Sequence, residues 1–297
     1  MKGRGSQPKT HNNSITSRSW GVLAILHSKM GYTIVEVMIF LAVSSALFAM
    51  IATSFYGRQA SSEFSVAARE MESKLQDIAN DVSTGYYNNP GNFSCTVPGA
   101  VPVITSGGNT QGTNDDCIFI GRVAQFDLDT SDKQYNLYSV VGARQASGED
   151  VTNFTQAQPR VIAPPASTGI DLTETEQIPP GLVVRSMFAY DAVGNRERAR
   201  AVGFFSTFGA GASGSSSSLS VNVIPLGLGG TGNSKPEIIA AINLINDAIP
   251  MNPAGGILIC MDGDRSNQHA LLKLGGNNRQ LTTDMIIEGG TCASAGY

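Results

Sequence analysis

Between Val37 and Phe55 the chain carries no charge. Those nineteen positions hold mostly apolar residues with a few Ser and Thr, enough to cross a hydrocarbon layer of roughly 30 Å as a helix. From Tyr56 the sequence turns polar without losing the helical period. Ala60, Phe64, Ala67, Met71, Leu75, Ile78 and Val82 recur at steps of three or four. Between them Arg58, Glu63, Arg69, Glu70, Glu72, Lys74, Gln76 and Asp77 make a solvated face, on which Glu70 and Lys74 are spaced for an ion pair. The stripe predicts a surface packed on a globular head, not a ligand groove. Gly85, Asn88, Asn89, Pro90 and Gly91 then stop the helix. One helix from Tyr32 to Val82 would be about 75 Å long, with Gly57 as a place for a local bend.

Beyond Pro90 the apolar runs shorten and alternate. They predict strands over residues 117–127, 135–143, 181–190, 199–208, 219–225, 256–262, 269–274 and 280–287. Loops are expected at 107–116, 147–150, 164–168 and the Gly-Ser stretch 209–218. Ser234-Lys235-Pro236-Glu237 supplies a cap, a first-turn proline and an acid at the third position, so a helix should follow and bury Ile238, Ile242, Ile245 and Ile249. The expected fold class is α+β: a long N-terminal helix, hydrophobic then amphipathic, packed on one or two antiparallel sheets. The expected divisions are a leader at 1–31, a transmembrane or filament-core helix at 32–55, an amphipathic stem at 56–84 and a β-rich head at 85–297.

Charge sharpens this division. The first 31 residues hold Lys2, Arg4, Lys9, Arg18 and Lys29 and no acid; what remains has 15 basic and 24 acidic side chains, a net charge of −9. That argues against a head that grips nucleic acid through its phosphates. Positive charge on the N-terminal side alone predicts a cytoplasmic N-terminus and an outward-facing head. The 33 glycines, with Ser, Thr and Asn between the apolar runs, suit a strand-and-turn domain outside the cell. Cys95, Cys117, Cys260 and Cys292 form no CxxC pair, and in an exported chain an even count favours disulfides. Of three connectivities, pairing of sequence neighbours closes the loops of modest length, Cys95–Cys117 and Cys260–Cys292.

The junction of leader and apolar run carries a specific resemblance. Lys29, Gly31, Tyr32, Thr33, Ile34, Val35 and Glu36 resemble the type IV prepilin processing motif. The resemblance implies cleavage by a membrane peptidase between Gly31 and Tyr32, with methylation of the new N-terminus on Tyr32. It also implies that Glu36 meets the terminal amine of a neighbouring subunit. Tyr32 stands where Phe is commoner, Met30 intervenes between Lys29 and Gly31, and the leader is longer than most. Thr33-x-x-Glu36 is also a capping box, with the acid at the positive end of the helix dipole; both roles are compatible. The implied partners are other pilin subunits, the prepilin peptidase, and a pilus assembly platform with its ATPase. The membrane would hold the precursor and an extracellular filament the product. Alternatives are a pseudopilin of a type II secretion or DNA-uptake machine, and a monomeric single-span surface binding protein. The surface or DNA ligand of the head is left unspecified.

Residues 257–266 and 270–275 look like the terminal hairpin of some minor pilins and type II secretion pseudopilins, with Cys292 tying the tail back onto it. Within that hairpin Asp262-x-Asp264-x-Ser266 is spaced like the start of a calcium loop. It lacks the glutamate expected after Ser266, where Leu272 and Lys273 stand, and a tight turn uses the same residues. His11, His27 and His269 are too dispersed for a triad or metal site. The glycine-rich run Gly227-Leu228-Gly229-Gly230-Thr231-Gly232 leads to Asn233 without the Lys-Ser/Thr of a phosphate loop. No cofactor and no catalytic activity are expected.

Overall fold

The structure is a computed structural model describing residues 32–85, 93–106, 116–126, 133–162, 173–190, 193–206, 221–230, 234–249, 253–275 and 283–297. The leader with Gly31, the loops at 164–168 and 209–218, and nearly all of 107–116 lie outside them. The described residues fall into two units, 32–51 and 52–297.

Helix α1, Ile34–Thr84, is continuous across Gly57. Its amphipathic part carries out the packing its period predicts. Phe64, Ala67, Ala68, Met71, Leu75, Ile78, Ala79 and Val82 are all buried, and the helix closes on Gly85 at φ 69°. Lys74 does not pair back to Glu70. Its ammonium donates to the Gln177 carbonyl at 3.0 Å and lies 3.9 Å from Glu176.

The strands follow in order: β1 Phe93–Thr96, β2 Val103–Ser106, β3 Cys117–Phe126, β4 Gln134–Ala143, β5 Gln145–Ala146, β6 Glu149–Asp150, β7 Arg160–Val161, β8 Glu174–Gln177, β9 Leu182–Tyr190, β10 Arg196–Arg198, β11 Ala201–Ser206, β12 Val221–Leu226, β13 Ile257–Gly263, β14 Gln268–Leu274 and β15 Thr283–Gly289. Helix α2, Phe154–Ala157, precedes β7, and α3, Lys235–Asn243, precedes β13. A six-stranded sheet runs β12-β11-β3-β4-β7, with β8 also on β4; a five-stranded sheet runs β10-β9-β13-β14-β15. All their pairings are antiparallel. The fold is thus α+β and mostly sheet, with one long apolar N-terminal helix.

Both sheets share one core with the amphipathic part of α1. Phe126, Leu137 and Phe204 come from the six-stranded sheet, and Val184, Ile259, Met261 and Leu272 from the five-stranded one. The other face of the six-stranded sheet packs Ile120, Val123 and Phe205 against Phe154 of α2 and Ile238 and Ile242 of α3. Gly121 sits beside a bulge in β3, where a Cβ would overlap the Phe204 carbonyl oxygen and the Phe205 ring, so the close strand approach requires glycine.

Three further sequence expectations need correction. The loop expected at 147–150 is only a turn, because Glu149–Asp150 pair with Gln145–Ala146 as β6 on β5. The run at 199–208 does not begin as a strand. Ala199 donates to the Met187 carbonyl and Arg200 to the Leu226 carbonyl, so these two buried residues carry the chain from the five-stranded sheet to the six-stranded one. Helix α3 begins where predicted, with the Glu237 carboxylate accepting from Ser234 N–H at 3.2 Å. It stops at Asn243; Ile245 and Ile249 lie beyond it and still pack on the same cluster.

Candidate functional site

The most distinctive surface is the start of α1. Thr33 precedes the helix and its Oγ1 accepts from the Glu36 amide at 3.3 Å, while its carbonyl accepts from Val37 N–H at 3.2 Å. The Thr33–Glu36 spacing therefore acts as a helix start, consuming one orphan amide. The Glu36 carboxylate itself is exposed and meets no ion-pair or hydrogen-bond partner among the described residues. Tyr32, the residue after Gly31, is 80% exposed.

Residues Ile34–Ala52 have a mean hydropathy of 2.4, are long enough to cross a membrane, and are not buried inside the protein. Phe40 and Phe48, for example, are 71% and 75% exposed. Exposed apolar surface of this extent marks a partner or membrane surface. The start of this helix thus joins a capped first turn, an apolar segment, and one carboxylate within that segment, Glu36, with no partner among the described residues.

The second region drawn from the sequence is the C-terminal hairpin. Strands β13 and β14 pair in register from Ile257 with Leu274 to Asp262 with His269. Disulfides join Cys95 to Cys117 and Cys260 to Cys292; sequence neighbours pair. Cys260 and Cys292 are buried with Leu271, and Leu258 and Tyr297 pack on them. The tail is pinned further by Cys292 N–H donating to Asp262 Oδ1 at 2.7 Å and by Arg196 donating to the Gly296 carbonyl at 2.6 Å.

The two carboxylates of the calcium-like spacing are engaged by protein donors. Asp262 Oδ2 lies 3.4 Å from Arg185, and Asp264 Oδ2 accepts from Lys133 at 2.8 Å. That hydrogen bond holds the Asp264 carboxyl below its ordinary range. No group of three His, Cys, Asp or Glu side chains arranged for a metal occurs among the described residues. The Asp-Gly-Asp sequence here builds the turn and fastens the tail.

Sequence reading missed the charged residues inside the head, because period and spacing report burial and not pairing. Arg122, 5% exposed, lies 3.2 Å from Asp81 of α1 and 3.5 Å from Glu174 of β8. Burial raises both carboxyls despite the guanidinium, and burial beside Glu176 pushes Tyr135 up to about 12. On the other face, Asp247 accepts from the amides of Phe154 and Thr155 and from the Thr155 hydroxyl. Asn153, in a glycosylation-type triplet, caps α2 through Oδ1 at 2.8 Å from Gln156 N. These groups hold elements together. No family model, no curated protein and no solved structure matches the chain.

Proposed function

We propose that this chain is a structural subunit of a type IV pilus or pilus-like filament, cut between Gly31 and Tyr32 and assembled through its N-terminal helix. The supporting observation is Glu36: a lone carboxylate, without a partner among the described residues, at the head of an unburied apolar helix. A carboxylate in hydrocarbon costs a few kcal/mol unless paired or at the interface. Packing with other copies would supply that pair as the Tyr32 amine of a neighbour. A helix apolar on all sides exchanges lipid for neighbouring helices at little cost, so Glu36 biases the exchange toward the filament. In this reading the precursor spans the membrane once with its N-terminus cytoplasmic. The peptidase, assembly platform and ATPase act on it, and the filament supports adhesion or motility. The role is structural and not catalytic.

The disulfide-tied hairpin β13–β14 favours a second reading, a pseudopilin of a secretion or DNA-uptake machine, built on the same processed helix.

Mass spectrometry of the membrane-extracted protein tests the cut. The expected N-terminus is Tyr32 bearing a methyl group, and an intact leader would refute the proposal. Glu36→Ala is expected to leave cleavage intact and abolish incorporation into sheared filaments. Wild-type amounts of the variant in filaments would remove the pairing role.

A further inference from the structure

The outer face of the five-stranded sheet, turned away from the α1 core, is charged oppositely at its two sides. Leu258, Cys260 and Leu271 mark this face, since they cluster under the C-terminal tail and not with the core. Register then sets Phe188 beside Leu258, and Arg198 and Arg196 beside Phe188 and Tyr190. Across the sheet the same face ends in Asp284 and Glu288 of β15. Both arginines are exposed and both rings are half-buried. Arg196 lies 5.0 Å over the Phe188 ring and donates to the Gly296 carbonyl, which fixes it in place. Arg198 has no carboxylate partner among the described residues. Glu197, between them, points to the opposite face, toward Gly229 of the turn Leu228–Gly230 that closes the β10 edge. A third cation joins the arginines. Lys273 is exposed, and its Cε lies 3.1 Å from where a Gly256 Cβ would stand. It therefore leans away from its cross-strand neighbour Asp284 and toward Tyr190, whose amide donates to the Gly256 carbonyl. Tyr297 is half-buried and packs on the Cys260–Cys292 pair, bringing another ring to the same face.

We infer that this side of the face binds an acidic polysaccharide, a chain of sugar rings that carry carboxylates. The ligand's two kinds of surface match the two kinds of side chain. The C–H face of a sugar ring packs on the electron-rich face of an aromatic ring, and a carboxylate takes the arginine fork in two parallel hydrogen bonds. Arg196 and Arg198 are two residues apart on one strand, about 7 Å, so they meet successive charges along a chain and not one compact anion. Charge density disfavours a nucleic acid. Residues 32–297 carry a net charge of −9, and Asp284 and Glu288 oppose a continuous row of phosphates that crosses the face. A polymer with one carboxylate per sugar leaves neutral groups for that side. The platform is also preorganised. β9 and β13 are inner strands of the sheet, and a disulfide pins the tail across it, so little ordering opposes binding. The site belongs to the head alone and needs no assembly; a filament would add avidity by presenting many copies.

The test is binding of the detergent-extracted full chain to labelled polygalacturonate, with its methyl ester and a single-stranded oligothymidylate as comparisons. The acid form should bind, and more weakly as salt rises. The ester should bind at least about tenfold more weakly, and the oligothymidylate more weakly than the acid form. Arg198→Glu and, separately, Lys273→Glu should each weaken the acid form about tenfold without moving the urea midpoint, since both side chains are exposed. Tyr190→Leu keeps apolar bulk but removes the flat ring, and should weaken binding while leaving its salt dependence unchanged. No binding of the acid form, equal binding of the ester, or binding indifferent to any of the three substitutions overturns the site. Tighter binding of the oligothymidylate overturns the polysaccharide in favour of a nucleic acid. None of these outcomes touches the Tyr32 terminus, by which the filament reading stands or falls separately.

Discussion

Asp247 and the Arg122 pair respond to pH in opposite directions. Burial acts to raise the Asp247 carboxyl, but hydrogen bonds from Thr155 and Phe154 outweigh it and hold the group below its ordinary range. A depressed carboxyl contributes stability that is present above its unfolded value and lost as pH falls through the folded one. Asp81 and Glu174 are raised, first by burial, with Arg122 opposing. Their contribution is full below the unfolded value and lost as pH rises through the folded one. Asp247→Asn should therefore destabilise the head at pH 7 and converge with the parent chain as pH falls below the ordinary carboxylate range, read from urea midpoints across pH. A difference independent of pH would show that Asp247 acts only through its shape. Arg122 sets a separate limit. With its side chain 6% exposed, removing its carboxylates strands a buried cation, which is more damaging than replacing the arginine itself by an apolar residue.

At the scale of elements, the long apolar strands were legible and the short polar ones were not. Strands β3, β4, β9, β13 and β14 each carry four or more buried apolar side chains, so alternation locates them within a residue or two. β8, Glu174–Gln177, and β10, Arg196–Arg198, are almost wholly polar. They are strands because β4 and β9 offer them backbone partners, a fact of topology that no local pattern carries. The same distinction separates the disulfides. Cys95–Cys117 fastens the two-stranded β1–β2 ribbon to the start of β3, whereas Cys260–Cys292 ties the tail to a central strand. Chain-entropy estimates for loops of 22 and 32 residues are nearly equal, about 3 to 4 kcal/mol each. Location should decide the outcome. Cys260→Ala with Cys292→Ala is expected to lower the unfolding temperature of the whole head, with amide exchange rising across β13 and β14. Cys95→Ala with Cys117→Ala should raise exchange mainly in β1 and β2. Equal spread of exchange in the two variants would show the ribbon to be part of the cooperative core.

For the whole molecule, one helix carries two different surfaces, and this accounts for the sequence feature that was easiest to read. From Ile34 to Ala52 its apolar side chains are not buried. From Phe64 to Val82 they are the head's core, with Met71 and Leu75 fully buried between residues of both sheets. Substitutions along α1 should therefore separate into two classes. Leu75→Ala removes a fully packed side chain and is expected to cost about 2 to 5 kcal/mol, lowering the unfolding temperature of the detergent-extracted protein. Phe48→Ala should leave that temperature unchanged, since its ring is 75% exposed, and on the proposed filament reading should reduce the amount of chain recovered in sheared filaments. The decisive comparison is the pair of measurements on both variants. If Phe48→Ala lowered head stability as much as Leu75→Ala, the apolar segment would belong to the fold of a single copy and would not be free to pack with others.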